Sequence, residues 1–144
     1  MSDSELQRDY YRRTAGSYDA MHLDGDPEHR MALGWLGSLI ELYGFRSLVD
    51  IGSGTGRVLA YLRDRHGVDA TGVEPVEELR RIGIENGLAA DRLVDGDATR
   101  LAFADDSFDI ATEFAALHHI KDHGAAVAEM CRVARRGVFL SDCN

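Results

Sequence analysis

The chain is poor in the features that mark several large protein classes. Among its 144 residues there is one lysine, Lys121, and there are two cysteines, Cys131 and Cys143. Two cysteines are too few for a disulfide framework, and these two lie too far apart for a local metal pair. They read as buried or incidental thiols in a reducing cytoplasm. No apolar run approaches the roughly 20 residues a membrane span needs. The opening Met1-Ser2-Asp3-Ser4-Glu5 is polar and acidic, the opposite of a basic targeting segment. A cytoplasmic protein without a membrane partner is therefore expected. The formal charge is −9, and Arg80-Arg81 and Arg135-Arg136 are among the adjacent basic pairs. Each pair reads as a solvated helix face or end. A protein that grips a phosphate backbone usually carries a basic stripe, so no nucleic-acid partner is expected.

What is present fits one soluble domain with a real core, at 44% hydrophobic and 28% charged residues without repeats or linkers. Residues from about Glu5 to Asp19 read as a loosely amphipathic helix, followed by a turn-prone stretch from Met21 to Asp26. Asp26-Pro27 is a helix start, with Asp as cap and Pro in the first position. Met31, Trp35, Leu36, Leu39, Ile40 and Tyr43 then recur at helical spacing, and Gly44 suits a left-handed stop. Beyond it, strands are predicted at 47–51, 70–73, 92–94, 108–112 and 137–141. Helices are predicted from Val58 to a stop at Gly67, from Pro75 through Val76, Leu79 and Ile82, and from Ala125 to Ala134. Repeated strand–helix–strand units imply an α/β fold, a Rossmann-like doubly wound parallel sheet with helices on both faces. Ligands of such sheets sit beyond the carboxyl ends of the strands, where the strand order reverses.

Gly52-Ser53-Gly54-Thr55-Gly56 falls at that place, between the first strand and a helix. Glycines allow a tight turn there and let a ligand approach the backbone, although such turns can also be purely structural. A dinucleotide fingerprint would need glycine where Arg57 stands, and a phosphate-binding loop would need a lysine near the turn. The loop therefore suits a ligand that brings no phosphate. Glu74, ending the second strand, could accept hydrogen bonds from both hydroxyls of a ribose, or could be a solvated residue at a helix N-terminus. Asp97 in Asp95-Gly96-Asp97 could take an adenine amine, or could serve as turn chemistry. Three successive strand ends would then hold one adenosine.

In Val49-Asp50-Ile51-Gly52-Ser53-Gly54-Thr55-Gly56, Gly72-Val73-Glu74-Pro75, Gly96-Asp97-Ala98 and Ser107-Phe108-Asp109-Ile110, the chain resembles a class I S-adenosylmethionine (SAM)-dependent methyltransferase of the small-molecule type. Ala116-Leu117-His118-His119-Ile120 and Tyr10 to Asp19 carry the same resemblance. It implies strand order 3-2-1-4-5, an N-terminal helical cap over residues 1–44 and an α/β core over 45–144. It implies SAM as cofactor and S-adenosylhomocysteine as product. By position it implies Gly52, Ser53 and Gly54 along the methionyl and sugar portion, with Asp50 shaping the loop. Glu74 would hold the ribose, and Pro75 and Val76 would pack beside the adenine. Asp97 and the Ala98 amide would meet the ring, Glu113 and Phe114 would lie near the methionine part, and Tyr18 would close over the cofactor.

A general base is needed only if the acceptor loses a proton during attack. His118 and His119 are the candidates, with His22 behind them; capping or surface exposure is the alternative reading. His118, His119, Asp122 and His123 cluster in sequence, but adjacent histidines diverge, so no metal site is expected. The family sheet normally continues with a helix and an antiparallel strand pair, whereas this sequence stops at Asn144. The uncovered fifth strand is therefore expected to pair with a second copy, or to belong to a longer protein. The acceptor is expected to be a small molecule. Two rival functions stay open: a SAM-binding domain or fragment without catalysis, and an NAD- or nucleotide-dependent oxidoreductase.

Overall fold

A computed structural model describes residues 3–17 and 26–142. Helix α1 (Asp3–Thr14) leads into a single 3-10 turn, Ala15–Ser17. The predicted turn from Met21, with His22, and the contact assigned to Tyr18 lie outside the described residues. Helix α2 (Pro27–Tyr43) begins where the Asp-Pro pair implies: Asp26 accepts the amides of Glu28 and His29, and Gly44 ends the helix at φ 64.

The remaining elements alternate. They are β1 (Ser47–Ile51), α3 (Arg57–His66), β2 (Asp69–Val73), α4 (Glu77–Glu85), β3 (Leu93–Val94), β4 (Phe108–Phe114), α5 (His123–Val133) and β5 (Ala134–Ser141). The sheet has the order β3-β2-β1-β4-β5 and every pairing is parallel, as expected. β1 lies at its centre, with Asp50 opposite Gly72 on one side and Thr112 on the other.

Two apolar layers enclose the sheet, as the alternation of side chains along a strand requires. Leu48 packs with Leu36 and Ile40 of α2 and with Leu59 and Leu62 of α3. Val49 and Ile51 pack on the opposite face with Met130 and Val133 of α5. Leu36, Leu48 and Leu62 are fully buried, and burial of each such side chain contributes about 1.5–3 kcal/mol.

Several boundaries differ from the sequence reading for identifiable reasons. Helix α4 starts at Glu77, not Pro75, because the Glu74 carboxylate accepts the Val76 amide and holds Val76 extended at φ −87, ψ 110. β5 begins directly after α5, three residues early, where Ala134 pairs with Phe108 across a register shift. β4 runs on to Phe114 because Glu113 and Phe114 pair with Leu140 and Ser141.

The arginine pairs are less idle than expected. Arg80 donates to the Glu74 carbonyl at 2.5 Å and to Asp95 at 3.1 Å. Arg135 pairs with Asp109, which also accepts the Arg46 and Ser47 amides and so ties the start of β1 to β4. Arg136 donates to the Tyr43 carbonyl and lies over the Phe45 ring. Cys131 is exposed on α5, and no described helix is long and apolar enough to cross a membrane. Val138 and Leu140 of β5 are exposed, and among the described residues β5 pairs with β4 alone.

Candidate functional site

The glycine loop is built from backbone that only glycine adopts cheaply. Gly52, Gly54 and Gly56 have φ of 67, 58 and 76, a region that costs other residues strain. The every-second-residue spacing thus has a conformational cause. Gly52 also has a steric one, since a Cβ there would collide with the Cβ of Ala116. The Gly52 and Ser53 amides donate to the Val73 carbonyl at 2.9 and 3.1 Å, fastening the loop to the end of β2.

Glu74 is the second fastener. Its Oε2 accepts the Gly54 amide at 2.9 Å and its Oε1 accepts the Val76 amide at 2.9 Å, with the side chain buried. The solvated alternative is thereby excluded. An ionised carboxylate offers about four acceptor sites, so two remain for a ligand. Burial pushes the Glu74 carboxyl up, while the two amides and the nearby Arg80 and Arg8 pull it down.

Asp50 is fully buried beneath the loop and accepts the Thr112 hydroxyl at 2.8 Å. Burial raises its pKa from 3.8 to about 7; the Thr112 and Ser53 hydroxyls oppose the rise, and Glu113 and Glu74 add repulsion. Glu113, at the end of β4, is likewise fully buried. Its Oε1 accepts the amides of Ala116 and Leu117, which holds the 3-10 turn Leu117–His119 against Gly52. Its Oε2 is buried without a hydrogen-bond partner. Burial pushes the Glu113 carboxyl up, and repulsion from Asp142 adds to this. Three carboxylates, Asp50, Glu74 and Glu113, therefore converge at the ends of β1, β2 and β4. Such a site favours a ligand carrying positive charge.

The other expected contacts are placed less uniformly. Asp97 is exposed, and its Oδ1 accepts both the amide and the hydroxyl of Thr99, at 2.9 and 2.8 Å. The turn reading is thus realised, and those bonds hold its pKa down. Ala98 is half-buried against the core. Pro75 is exposed, whereas Val76 is buried with Ala15 and Leu79, so the end of α1 covers it. Phe114 is half-buried between His29 of α2 and Phe139 of β5.

His118 and His119 are both exposed, and their ring centroids lie 3.7 Å apart with the planes tilted by 49°. Their partners differ. His118 Nδ1 lies 2.5 Å from Asp142 Oδ1, and His119 Nε2 lies 2.9 Å from the Tyr11 hydroxyl. Burial lowers the His119 pKa, with His118 adding to it. Asp122 instead caps α5 through the Ala125 amide. Among the described residues no group of three or more His, Cys, Asp or Glu side chains could hold a metal ion. Thr112, Tyr11 and Asp142 were not singled out as site residues from sequence. Only Tyr11 carried a signal, as part of the N-terminal motif.

A doubly wound parallel sheet with a glycine loop at its reversal point and acids on the flanking strand ends defines a Rossmann-like methyltransferase fold. Residues 49–141 match the family described as methyltransferase domain, and the chain belongs to that family. It is 41% identical over 98 residues to the uncharacterized methyltransferase YcgJ of Bacillus subtilis, covering 65% of this chain and 38% of that protein. The crystal structure of YcgJ superposes with a TM-score of 0.64 at 32% identity, covering 74% of this chain and 47% of that one. A demethylmenaquinone methyltransferase of Roseiflexus castenholzii is 36% identical over 134 residues, 88% of this chain and 55% of that protein. A Thermotoga maritima structure described as a SAM-dependent methyltransferase, possible histamine N-methyltransferase, gives a TM-score of 0.63 at 28% identity over 90% of this chain and 57% of that one. The chain thus spans roughly half, or less, of the length of these relatives.

Proposed function

We propose that the chain binds SAM at the carboxyl ends of β1, β2 and β4 and serves methyl transfer to a small-molecule acceptor. The observation that carries this reading is the convergence of Asp50, Glu74 and Glu113 around the glycine loop. SAM carries both an ammonium and a sulfonium charge, which answers three buried carboxylates, and it has no phosphate, which suits a loop without lysine. The unpartnered Oε2 of Glu113 is an acceptor for the ammonium group. Glu74 retains acceptor sites for the ribose hydroxyls, and Asp97 has its Oδ2 for the adenine amine. Gly52, Ser53 and Gly54 supply the close backbone surface, while Pro75, Val76, Ala98 and Phe114 supply apolar edges.

When bound, SAM supplies an activated methyl group, so the protein contributes mainly proximity and orientation. Helix α1 favours capture: Arg8 attracts both Glu74 and Asp97, and Arg12 pairs with Glu78 of α4 at 3.3 Å. The test is calorimetric titration with SAM and S-adenosylhomocysteine, with NAD as control. Adenosyl binding that is weakened by Asp50→Asn supports the reading. Binding without transfer, to any acceptor and in a longer chain as well, would favour a SAM-binding regulator. Preference for NAD would overturn the reading.

A further inference from the structure

The two edges of the sheet are built differently. β3 is two residues long and is flanked by the charged Arg92 and Asp95. Short, charged edges resist pairing with another chain. β5 runs for eight residues without proline, pairs with β4 alone among the described residues, and exposes Val138 and Leu140. The helix beside this edge is apolar on its outer flank as well. α2 starts near the end of β4, where His29 packs on Phe114, and ends near the start of β5, where Arg136 donates to the Tyr43 carbonyl. It therefore runs antiparallel to both strands. Gly37 turns towards α3, since a Cβ there would meet the His66 ring. Trp35 is two residues away, about 200° round the helix, and so points to the opposite flank, on the β5 side. Met31 and Leu42 share that flank at helical spacing, and Trp35 and Leu42 are 60% and 74% exposed. Along β5 the side chains alternate: Phe139 packs on Phe114 beneath α2, so Val138 and Leu140 face the α5 side.

Of the nine large apolar side chains exposed among the described residues, six lie at this one edge, on both of its faces. Scattered exposure is ordinary, whereas a contiguous patch marks an interaction surface. We propose that this surface is a homodimer interface, in which β5 pairs antiparallel with β5 of a second copy about a twofold axis normal to the sheet. One operation then brings each apolar set to its own mate: the α2 flanks meet on one face, and Val138 and Leu140 meet on the other. Charge selects the antiparallel sense. β5 opens with the exposed Arg135 and Arg136 and is followed by the exposed Asp142. Antiparallel strands set each arginine pair beside the partner's Asp142, whereas parallel strands would oppose like charges. The two five-stranded sheets join into one that ends at both sides in β3, the protected edge.

The test is sedimentation equilibrium of the 144-residue chain together with hydrogen exchange over residues 134–141. The expected species is a dimer, twice the 15.9 kDa chain mass, at about 50 µM. Val138→Lys and Trp35→Lys, one on each face and both at exposed positions, should each weaken it at least about tenfold. Their circular dichroism should match that of the parent, showing that they fold. Backbone exchange across β5 should slow as the dimer forms and quicken on dilution. A folded monomer at that concentration would overturn the proposal and leave the surface to a segment of a longer chain or to a different protein. A dimer indifferent to both substitutions, or one with unchanged β5 exchange, would put the interface elsewhere and overturn it too. Assemblies beyond the dimer would exclude the closed twofold. SAM binding is read separately, so none of these outcomes bears on the cofactor reading.

Discussion

Glu74 and Gly54 are joined by a hydrogen bond of 2.9 Å from the loop amide to Oε2, across 20 residues of sequence. With Oε1 on the Val76 amide, one side chain shapes the cofactor loop and sets where α4 can begin. It is a structural clamp as well as a candidate ribose ligand.

Replacing Glu74 should therefore cost stability as well as binding. Glu74→Ala leaves two amide donors without their acceptor, at about 1–3 kcal/mol each. Glu74→Gln offers one acceptor and one donor to two donors, so it should also destabilise, by about 1–3 kcal/mol. Urea unfolding measures both. A Gln variant as stable as the parent would show that the clamp is not needed.

Asp50 should make both stability and cofactor binding depend on pH. Its folded pKa, about 7, is raised from 3.8 by burial. The folded state thus holds a proton that the unfolded state has lost, and stability from this group is fully present below the unfolded value. It declines as pH rises and is gone above the folded value. Asp50→Asn should remove this part of the decline between about pH 4 and 7. A cationic ligand favours the carboxylate, so SAM binding should release about half a proton at pH 7 and almost none by about pH 9. Calorimetry in buffers of differing ionisation enthalpy reads the release; proton uptake would contradict it.

Gly52→Ala combines a left-handed backbone at φ 67 with a collision against Ala116. The expected cost is about 2–4 kcal/mol. The turn carrying His118 must also move. SAM affinity should fall more than about tenfold, which isothermal titration would detect. Gly44, with a similar φ of 64 and open space around it, is the control that suffers the backbone cost alone.

Tyr11→Phe keeps the ring contact with His119 but removes the hydroxyl bond. Its cost to folding should be below about 1 kcal/mol, since the site is exposed. SAM dissociation, followed by stopped flow, should nonetheless quicken severalfold because α1 loses an anchor on the β4 side. An unchanged rate would mean that Arg12 and the apolar packing of Ala15 and the Tyr11 ring hold α1 without the hydroxyl bond.

The strand order followed from the family resemblance, whereas the strand and helix alternation, the parallel sheet and the glycine loop were legible in the sequence itself. They rest on local chemistry: apolar period, Asp-Pro caps, and glycines where φ must be positive. Boundaries set by side-chain contacts were not legible, as at Val76, where a carboxylate two residues back delays the helix. Asp97 shows the other limit, since ligand contact and turn chemistry call for the same residue type in the same place.

By itself, then, the sequence determined where strands form, where the chain can turn, and that a glycine loop and two acids, Glu74 and Asp97, stand at three successive strand ends. Only the tertiary structure decided that Asp50, Glu74 and Glu113 face one another, that His118 belongs to Asp142 across 24 residues, and that His119 belongs to Tyr11 across 108. The reason is physical. Backbone preference acts within a few residues, whereas a pKa and a tautomer depend on burial and on partners that meet only when the sheet closes.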